Sequence, residues 1–201
     1  MKNIVFDLGG VLFARDKSKC TPELLEFFSF LRAPRMPLFW EEYDRGTSTL
    51  EEVTATISGM TGRPVETCAA VLRLAVDLQE PVKPTERLVG DLKAAGYRLY
   101  VLSNMSREFI DFLRRFPVYG LFDGEVVSCE EHTVKPEPRI YEILLERYGL
   151  TPSETLFIDD REMNIEAAAA ALGIHGFVFD HRDPDAACDA LRRRLLQSDC
   201  I

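Results

Sequence analysis

Short apolar runs rich in strand formers recur along the chain and close on polar residues. Ile4-Val5-Phe6 ends at Asp7, Leu99-Tyr100-Val101-Leu102 at Ser103-Asn104, and Leu156-Phe157-Ile158 at Asp159-Asp160. Runs of this kind suit strands buried on both faces of a parallel sheet. Residues 124–128 and 176–179 predict two further short strands. Between the runs, apolar positions take helical spacing. Leu88, Leu92 and Ala95 share one face of 85–95, and Phe109, Ile110 and Leu113 are in register in the next segment. Residues 139–148, 164–172 and 183–196 predict three more helices, the first two closed by Gly149 and Gly173. Alternation of strand and helix predicts an α/β fold, a doubly wound parallel sheet.

Residues 14–84 break this rhythm and read as helical throughout. Leu24, Leu25, Phe28 and Leu31 predict one face of a helix over 21–31, broken at Pro34 and Pro37. After the cluster Leu38-Phe39-Trp40 and a turn at 46–49, Ser48 or Thr49 with Glu51 and Glu52 signals a new helix start. Val53, Ile57 and Met60 continue that helix, and 64–78 forms another around Cys68, Val71, Leu72, Ala75 and Val76. A lone strand over 3–6 could not stand upstream of an independent helical domain. The expected organisation is therefore an α/β core of 1–13 and 85–201, with an all-helical domain, 14–84, inserted into it.

Composition narrows the class. The 201 residues are 46% hydrophobic, enough for a sizeable core, and carry 24 basic against 33 acidic residues, a net charge of -9. That balance argues against nucleic acid or an anionic membrane as partner, while a pocket can still take a small anion. The five cysteines are scattered without a CxxC pair, which argues against a zinc knuckle and for a reducing compartment. No apolar run approaches a membrane span, and a strand so close to Met1 leaves no room for a signal peptide. The expected location is cytoplasmic.

In a parallel sheet the polar strand ends face one side, where α/β folds bind ligands. Asp7 with Gly9-Gly10 could equally be a plain turn. Taken with Asp159 and Asp160 it becomes one of three carboxylates in one crevice, and these need a cation to stay ionised together. Such oxygen donors suit Mg²⁺. Ser103, the amides beside it and Lys135 can bind phosphoryl oxygens, which makes Asp7 a candidate nucleophile. Taken alone, Ser103 is a helix cap and Lys135 a loop lysine. Asn164 divides evenly between a solvent-facing helix start and support of the carboxylates. Arg161 reads as surface, and His132, His175 and His181 as structural or exposed. Ser103 lacks the G-x-S-x-G elbow of a serine hydrolase, and Gly9-Gly10 lacks the third glycine of a dinucleotide site.

Taken in order, these motifs resemble the haloacid dehalogenase-like (HAD) superfamily over nearly the whole chain. Asp7-Leu8-Gly9-Gly10-Val11 looks like its first motif, Leu102-Ser103-Asn104 its second, Lys135-Pro136 its third, and Ile158-Asp159-Asp160 with Asn164 its fourth. The resemblance implies a Rossmannoid core with a helical cap and a Mg²⁺-dependent phosphatase of a small phosphorylated metabolite. It also implies an aspartyl phosphate on Asp7, with Lys135 as its catalytic partner. Ser103, Asn104 and Lys135 would bind substrate. Asp7, the Gly9 carbonyl and Asp160 would hold the metal, with Asp159 acting through a metal-bound water. Cap residues choose the leaving group, and Trp40, Tyr43 and Arg45 are the candidates.

One position departs from the pattern. Most phosphatases of the superfamily carry an acid/base aspartate two residues after the nucleophile, and Gly9 stands there. A branch with D-L-G-[GN]-V includes sugar-phosphate phosphatases, glucose 1-phosphate among their substrates, and residues 42–48 also resemble that branch. Gly9 predicts slow turnover, or a weakened member that binds a phosphorylated ligand or a protein partner. A signalling receiver is disfavoured by the order of its acids and by the helical insertion. A 2-haloacid dehalogenase has no need of the metal that Asp159-Asp160 implies.

Overall fold

The structure is a computed structural model and describes residues 1–32 and 36–197. Its centre is a five-stranded parallel sheet built from β1 (Asn3–Phe6), β4 (Arg98–Ser103), β5 (Gly124–Val127), β6 (Thr155–Asp159) and β7 (His175–Val178). The order is β5-β4-β1-β6-β7, so β1 lies in the middle with β4 and β6 on either side. Side chains alternate between two cores, as a doubly covered sheet requires. Ile4, Phe6, Leu99, Val101, Leu156 and Ile158 pack on one face with α5 (Lys83–Ala94), α6 (Arg107–Leu113) and α10 (Pro184–Leu196). Val5, Tyr100, Leu102 and Phe157 pack on the other with α8 (Pro138–Tyr148) and α9 (Glu162–Leu172). The parallel doubly wound α/β architecture read from the sequence is the one observed.

Between β1 and α5 lie four α-helices: α1 (Pro22–Phe27), α2 (Leu38–Arg45), α3 (Leu50–Thr61) and α4 (Val65–Asp77). They share a separate apolar core that includes Leu24, Phe28, Trp40, Val53, Ile57 and Leu72, and it reaches the α/β part through Phe109. Two short strands that the sequence pattern missed form the stem of this block. β2 (Phe13–Arg15) pairs antiparallel with β3 (Gln79–Pro81), matching Phe13 to Pro81 and Arg15 to Gln79. Three residues are too few to show alternation, and Pro81 reads as a breaker although edge strands tolerate it. The helix expected at Thr85 starts at Lys83, with Pro84 in its first turn.

The helical faces also differ from expectation in detail. The segment predicted as a helix over 21–31 stops at Phe27 and continues as a 3-10 turn over Ser29–Arg32. Its buried residues are Leu24, Phe27 and Phe28, an i, i+3, i+4 set that leaves Leu25 43% exposed. The break expected at Pro34 lies outside the described residues. In α3 the capping box is Thr49 with Glu52. Met60 is 62% exposed because Thr54 joins Val53 and Ile57 on the buried face, its hydroxyl donating to the Leu50 carbonyl at 2.8 Å. Cys20, Cys68, Cys129 and Cys188 are free thiols, and Cys200 lies outside the described residues. Among the described residues no helix is long and apolar enough to cross a membrane.

Candidate functional site

The carboxyl end of β1 opens onto a cavity of about 940 Å³ between the sheet and the helical block. Asp7 follows the last residue of β1 directly, and its amide donates to the Ile158 carbonyl at 2.9 Å, continuing the sheet pattern by one residue. The chain then turns sharply, with the Val11, Leu12 and Phe13 amides all bonded to the Leu8 carbonyl. Gly10 is required in this turn. Its φ is +78°, and a β-carbon there would lie 2.6 Å from an Asp160 carboxylate oxygen. The turn thus brings the end of β1 against the end of β6. Gly9 also lines the cavity.

Lys135 comes from the loop before α8 and is buried. Its ammonium has three partners: Asp7 Oδ1 at 2.9 Å, Asp159 Oδ2 at 2.6 Å and the Leu102 carbonyl at 2.9 Å. An ammonium has three donors, so none is left over. Asn104 positions this loop. Its Nδ2 donates to the Lys135 carbonyl at 2.9 Å, and its Oδ1 accepts from the Lys135 amide at 2.7 Å. The side chain expected to bind substrate is therefore engaged on Lys135, although Asn104 also lines the cavity.

Asp159 and Asp160 have opposite surroundings. Asp159 is fully buried and accepts from Lys135, from the Arg161 amide at 2.8 Å, and from Asn164 Nδ2 at 3.0 Å on each oxygen. Asn164 is thus a support of the carboxylates and not a solvent-facing residue. Asp160 lines the cavity, and its ion-pair partner is His181, with Nδ1 3.3 Å from Oδ2. Asp7, Asp159 and Asp160 each offer an oxygen within 4.8 Å of the others. Burial pushes the Asp7 carboxyl up to about 7, with Lys135 opposing and Asp159 and Asp160 adding to the rise. Burial, then the Asp159 charge, pushes Asp160 up to about 6. Burial alone would lower the Lys135 ammonium, but Asp159 and Asp7 outweigh it and raise it. Three hard oxygen donors in mutual reach, in a buried crevice that disfavours their charge, fit a magnesium ion.

Ser103 ends β4 and does not itself line the cavity; its side chain is wholly buried and its hydroxyl has no hydrogen-bond partner among the described residues. Such a group costs about 1–3 kcal/mol when left unpaired. Of the residues expected to set specificity, Trp40 lines the cavity. Tyr43 faces a separate depression and donates from its hydroxyl to Glu108 at 2.5 Å. Arg45 forms a fork onto Glu137 at 2.7 and 2.9 Å and reaches Glu41 at 2.8 Å. Two residues read otherwise from the sequence, Arg161 and His181, also stand at the cavity, as does Asp44, for which the sequence offers no role of its own. Arg161 and His181 follow strand ends by two or three residues, which is a usable signal. Asp44 lies in the 42–48 stretch, whose resemblance marks the segment but not this residue.

The chain is similar to known proteins. Residues 1–171 match the haloacid dehalogenase-like hydrolase family. The chain belongs to that family. Among its relatives is a sesquiterpene phosphatase of Aspergillus oryzae, 28% identical over 87% of this chain and 89% of the relative. A D-ribitol-5-phosphate phosphatase of Bacteroides thetaiotaomicron is also 28% identical, over 82% of this chain and 85% of the relative. A solved HAD-family enzyme of Bacteroides thetaiotaomicron, in complex with magnesium and inorganic phosphate, superposes with a TM-score of 0.68. It is 27% identical and spans 90% of this chain and 95% of its own. The chain is accordingly a HAD-like hydrolase, and the strand-end crevice is where a hydrolase of this fold would work.

Proposed function

We propose that the crevice is the active site of a magnesium-dependent phosphatase that hydrolyses small phosphate monoesters through an aspartyl phosphate on Asp7. The observation that carries this reading is the Asp7 carboxylate at the cavity floor, held at 2.9 Å by a buried lysine and joined by two further carboxylates. Relatives named as phosphatases and a magnesium–phosphate complex of a similar fold support it. Asp7, the Gly9 carbonyl and Asp160 would hold the metal, with Asp159 behind them. Bound magnesium would keep the carboxylates ionised and offset phosphoryl charge.

The chain's own residues divide the remaining work. One Asp7 oxygen forms the bond to phosphorus. Lys135 keeps that carboxylate oriented and offsets charge on the phosphoryl oxygens. Asp159 and Asn164 fix the Lys135 ammonium, and Asn104 fixes its backbone. The Ser103 hydroxyl, buried just behind the cavity and unpartnered among the described residues, would have to turn toward the crevice to donate to a phosphoryl oxygen. The helical block acts as a cap, its stem the β2–β3 ribbon, and closes the cavity over the leaving group.

The cavity wall carries Leu25, Phe28 and Trp40 from the helical block and Phe109 from α6, beside the polar Arg15, Glu41 and Gln79. The apolar stretch of this wall favours an ester with an apolar body, while the polar side chains offer partners to a hydroxylated one. The free thiols support a reducing, cytoplasmic setting. A phosphate-release screen tests the reading. It would set aryl and isoprenyl phosphates beside glucose 1-phosphate and ribitol 5-phosphate, with and without Mg²⁺. The expected outcome is metal-dependent release, fastest from the apolar esters. Phosphate binding with no release from any ester would instead establish the weakened, ligand-binding member.

A further inference from the structure

Gly9 removes the side chain that would protonate the leaving oxygen, and the core crevice has no obvious substitute. Lys135 and Asp159 are locked in their network, and His181 lies on Asp160. We propose that Asp44, carried by α2 of the helical block, is the general acid and base of the reaction. This rests on the aspartyl-phosphate reading above.

Placement is the first argument. Asp44 lines the same cavity as Asp7, Gly9, Asn104 and Lys135. It forms no ion pair among the described residues, whereas its neighbour Glu41 is paired with Arg45. The Ser106 amide, just beyond the end of β4, favours the charged form of this carboxyl, so the core contributes to its electrostatic setting.

Fastening is the second. Residues 43 to 46 each grip the α/β part. The Tyr43 hydroxyl donates to Glu108 on α6 at 2.5 Å. The Ser128 hydroxyl donates to the Asp44 carbonyl. Arg45 forks onto Glu137, and its carbonyl lies 3.2 Å from His132 Nδ1. Gly46, at φ +74°, packs so closely that a β-carbon would lie 2.4 Å from the Cys129 carbonyl oxygen. A helix end pinned at four successive residues holds one carboxyl at a fixed place in the cavity that Asp7 also lines, as proton transfer in a reacting complex requires.

The charge environment agrees. Burial, and then the Asp7 charge, push the Asp44 carboxyl up to about 7, with Glu41 adding and the Ser106 amide and Arg161 opposing. A carboxyl poised there can give and take a proton near neutrality. In the first step the Asp7 oxygen bonds to phosphorus as the ester P–O bond breaks, and protonated Asp44 gives its proton to the departing oxygen. In the second, Asp44 carboxylate takes a proton from water as the water oxygen bonds to phosphorus and the Asp7–phosphorus bond breaks. The products are the alcohol and inorganic phosphate, and Asp44 ends protonated as it began. Gly9 then no longer implies slow turnover.

Pre-steady-state kinetics of Asp44→Asn with an activated aryl phosphate and an alkyl phosphate, both with Mg²⁺, tests this. The aryl leaving group needs no acid, so Asp7 should still be phosphorylated rapidly while hydrolysis stalls. We expect a burst of about one aryl alcohol per site, then a steady state ~10²–10⁴-fold below wild type, which itself shows no burst. Alkyl phosphate turnover should fall further, since both steps lose help. Gly9→Asp placed in the Asp44→Asn protein should restore part of the rate, because the nearest atom to a β-carbon at Gly9 is Met105 Cε at 4.0 Å. Asp44→Ser offers the same readouts should the Asn variant not fold. An Asp44 variant with wild-type turnover on both esters would overturn the proposal. So would an equal loss on both esters with no burst, the mark of a merely structural residue. Asp7→Asn separates the two readings, since turnover surviving there removes the aspartyl phosphate itself.

Discussion

The strand-end crevice and the end of α2 face the same cavity but are built in opposite ways. In the crevice each group is set by sheet topology. β1, β4 and β6 are adjacent and parallel, so Asp7, Ser103 and Asp159 must converge, and buried bonds then lock Lys135 and Asp159 in place. The α2 end lies outside that frame. It is fastened to the core by contacts across the interface, such as the Arg45–Glu137 fork, which holds the Glu137 carboxyl down to about 2. The first arrangement suits a covalent step that needs a fixed nucleophile. The second suits a proton carrier that the helical block presents to the same cavity.

The largest expected effect of breaking this comparison is on the core side. Asp7→Asn should reduce turnover by on the order of 10⁴-fold or more, with the fold intact by circular dichroism, because it removes a nucleophile and not a packing element. Next, the two acids of β6 should separate stability from metal binding. Asp159→Ala strands Lys135 and Asn164 and should cost about 3–5 kcal/mol in urea unfolding. Asp160→Ala loses only a half-exposed partner, His181, and should change stability by under about 1 kcal/mol. It should nevertheless weaken Mg²⁺ binding more, measured by calorimetry.

Much of this was legible in advance, and the reasons are physical. The three central strands, β1, β4 and β6, announce themselves because burial on both faces demands unbroken apolar runs, and their polar ends mark the crevice. The β2–β3 stem was hidden because three residues carry no periodicity. The role of Asn104 was hidden because whether a strand-end amide meets ligand or its own loop depends on where Lys135 arrives. Asp44 was the hardest. In Glu41-Glu42-Tyr43-Asp44-Arg45 nothing separates it from its acidic neighbours. Only the docking of α2 on the core leaves Asp44 in the cavity with no ion pair among the described residues, ties Glu41, which lines the cavity too, to Arg45, and sets Arg45 outside it on Glu137.

A gentler test uses pH. Asp7 and Asp160 are raised above their ordinary value of 3.8, to about 7 and about 6. The folded metal-free protein therefore binds protons more tightly than the unfolded chain. Their contribution to stability is full below about pH 4 and is lost as pH rises through 6 to 7. Magnesium competes with those protons, so its stabilising effect should grow with pH. The rise in Tm on adding Mg²⁺ should be larger at about pH 8 than at about pH 5. Smallest of all is the clamp. Arg45→Ala should cost about 1 kcal/mol or less of stability and roughly tenfold or less in kcat, by loosening Asp44.

The division of labour between Asp7 and Asp44 is tested most directly by acid-quench mass spectrometry of Asp44→Asn mixed with an aryl phosphate and Mg²⁺. The account predicts a phosphoryl adduct that accumulates to near one per chain on the peptide carrying Asp7. The same treatment of wild type should trap far less, because Asp44 speeds hydrolysis of the adduct. An adduct on another residue, or alcohol released from the Asn variant with no adduct at all, would contradict it.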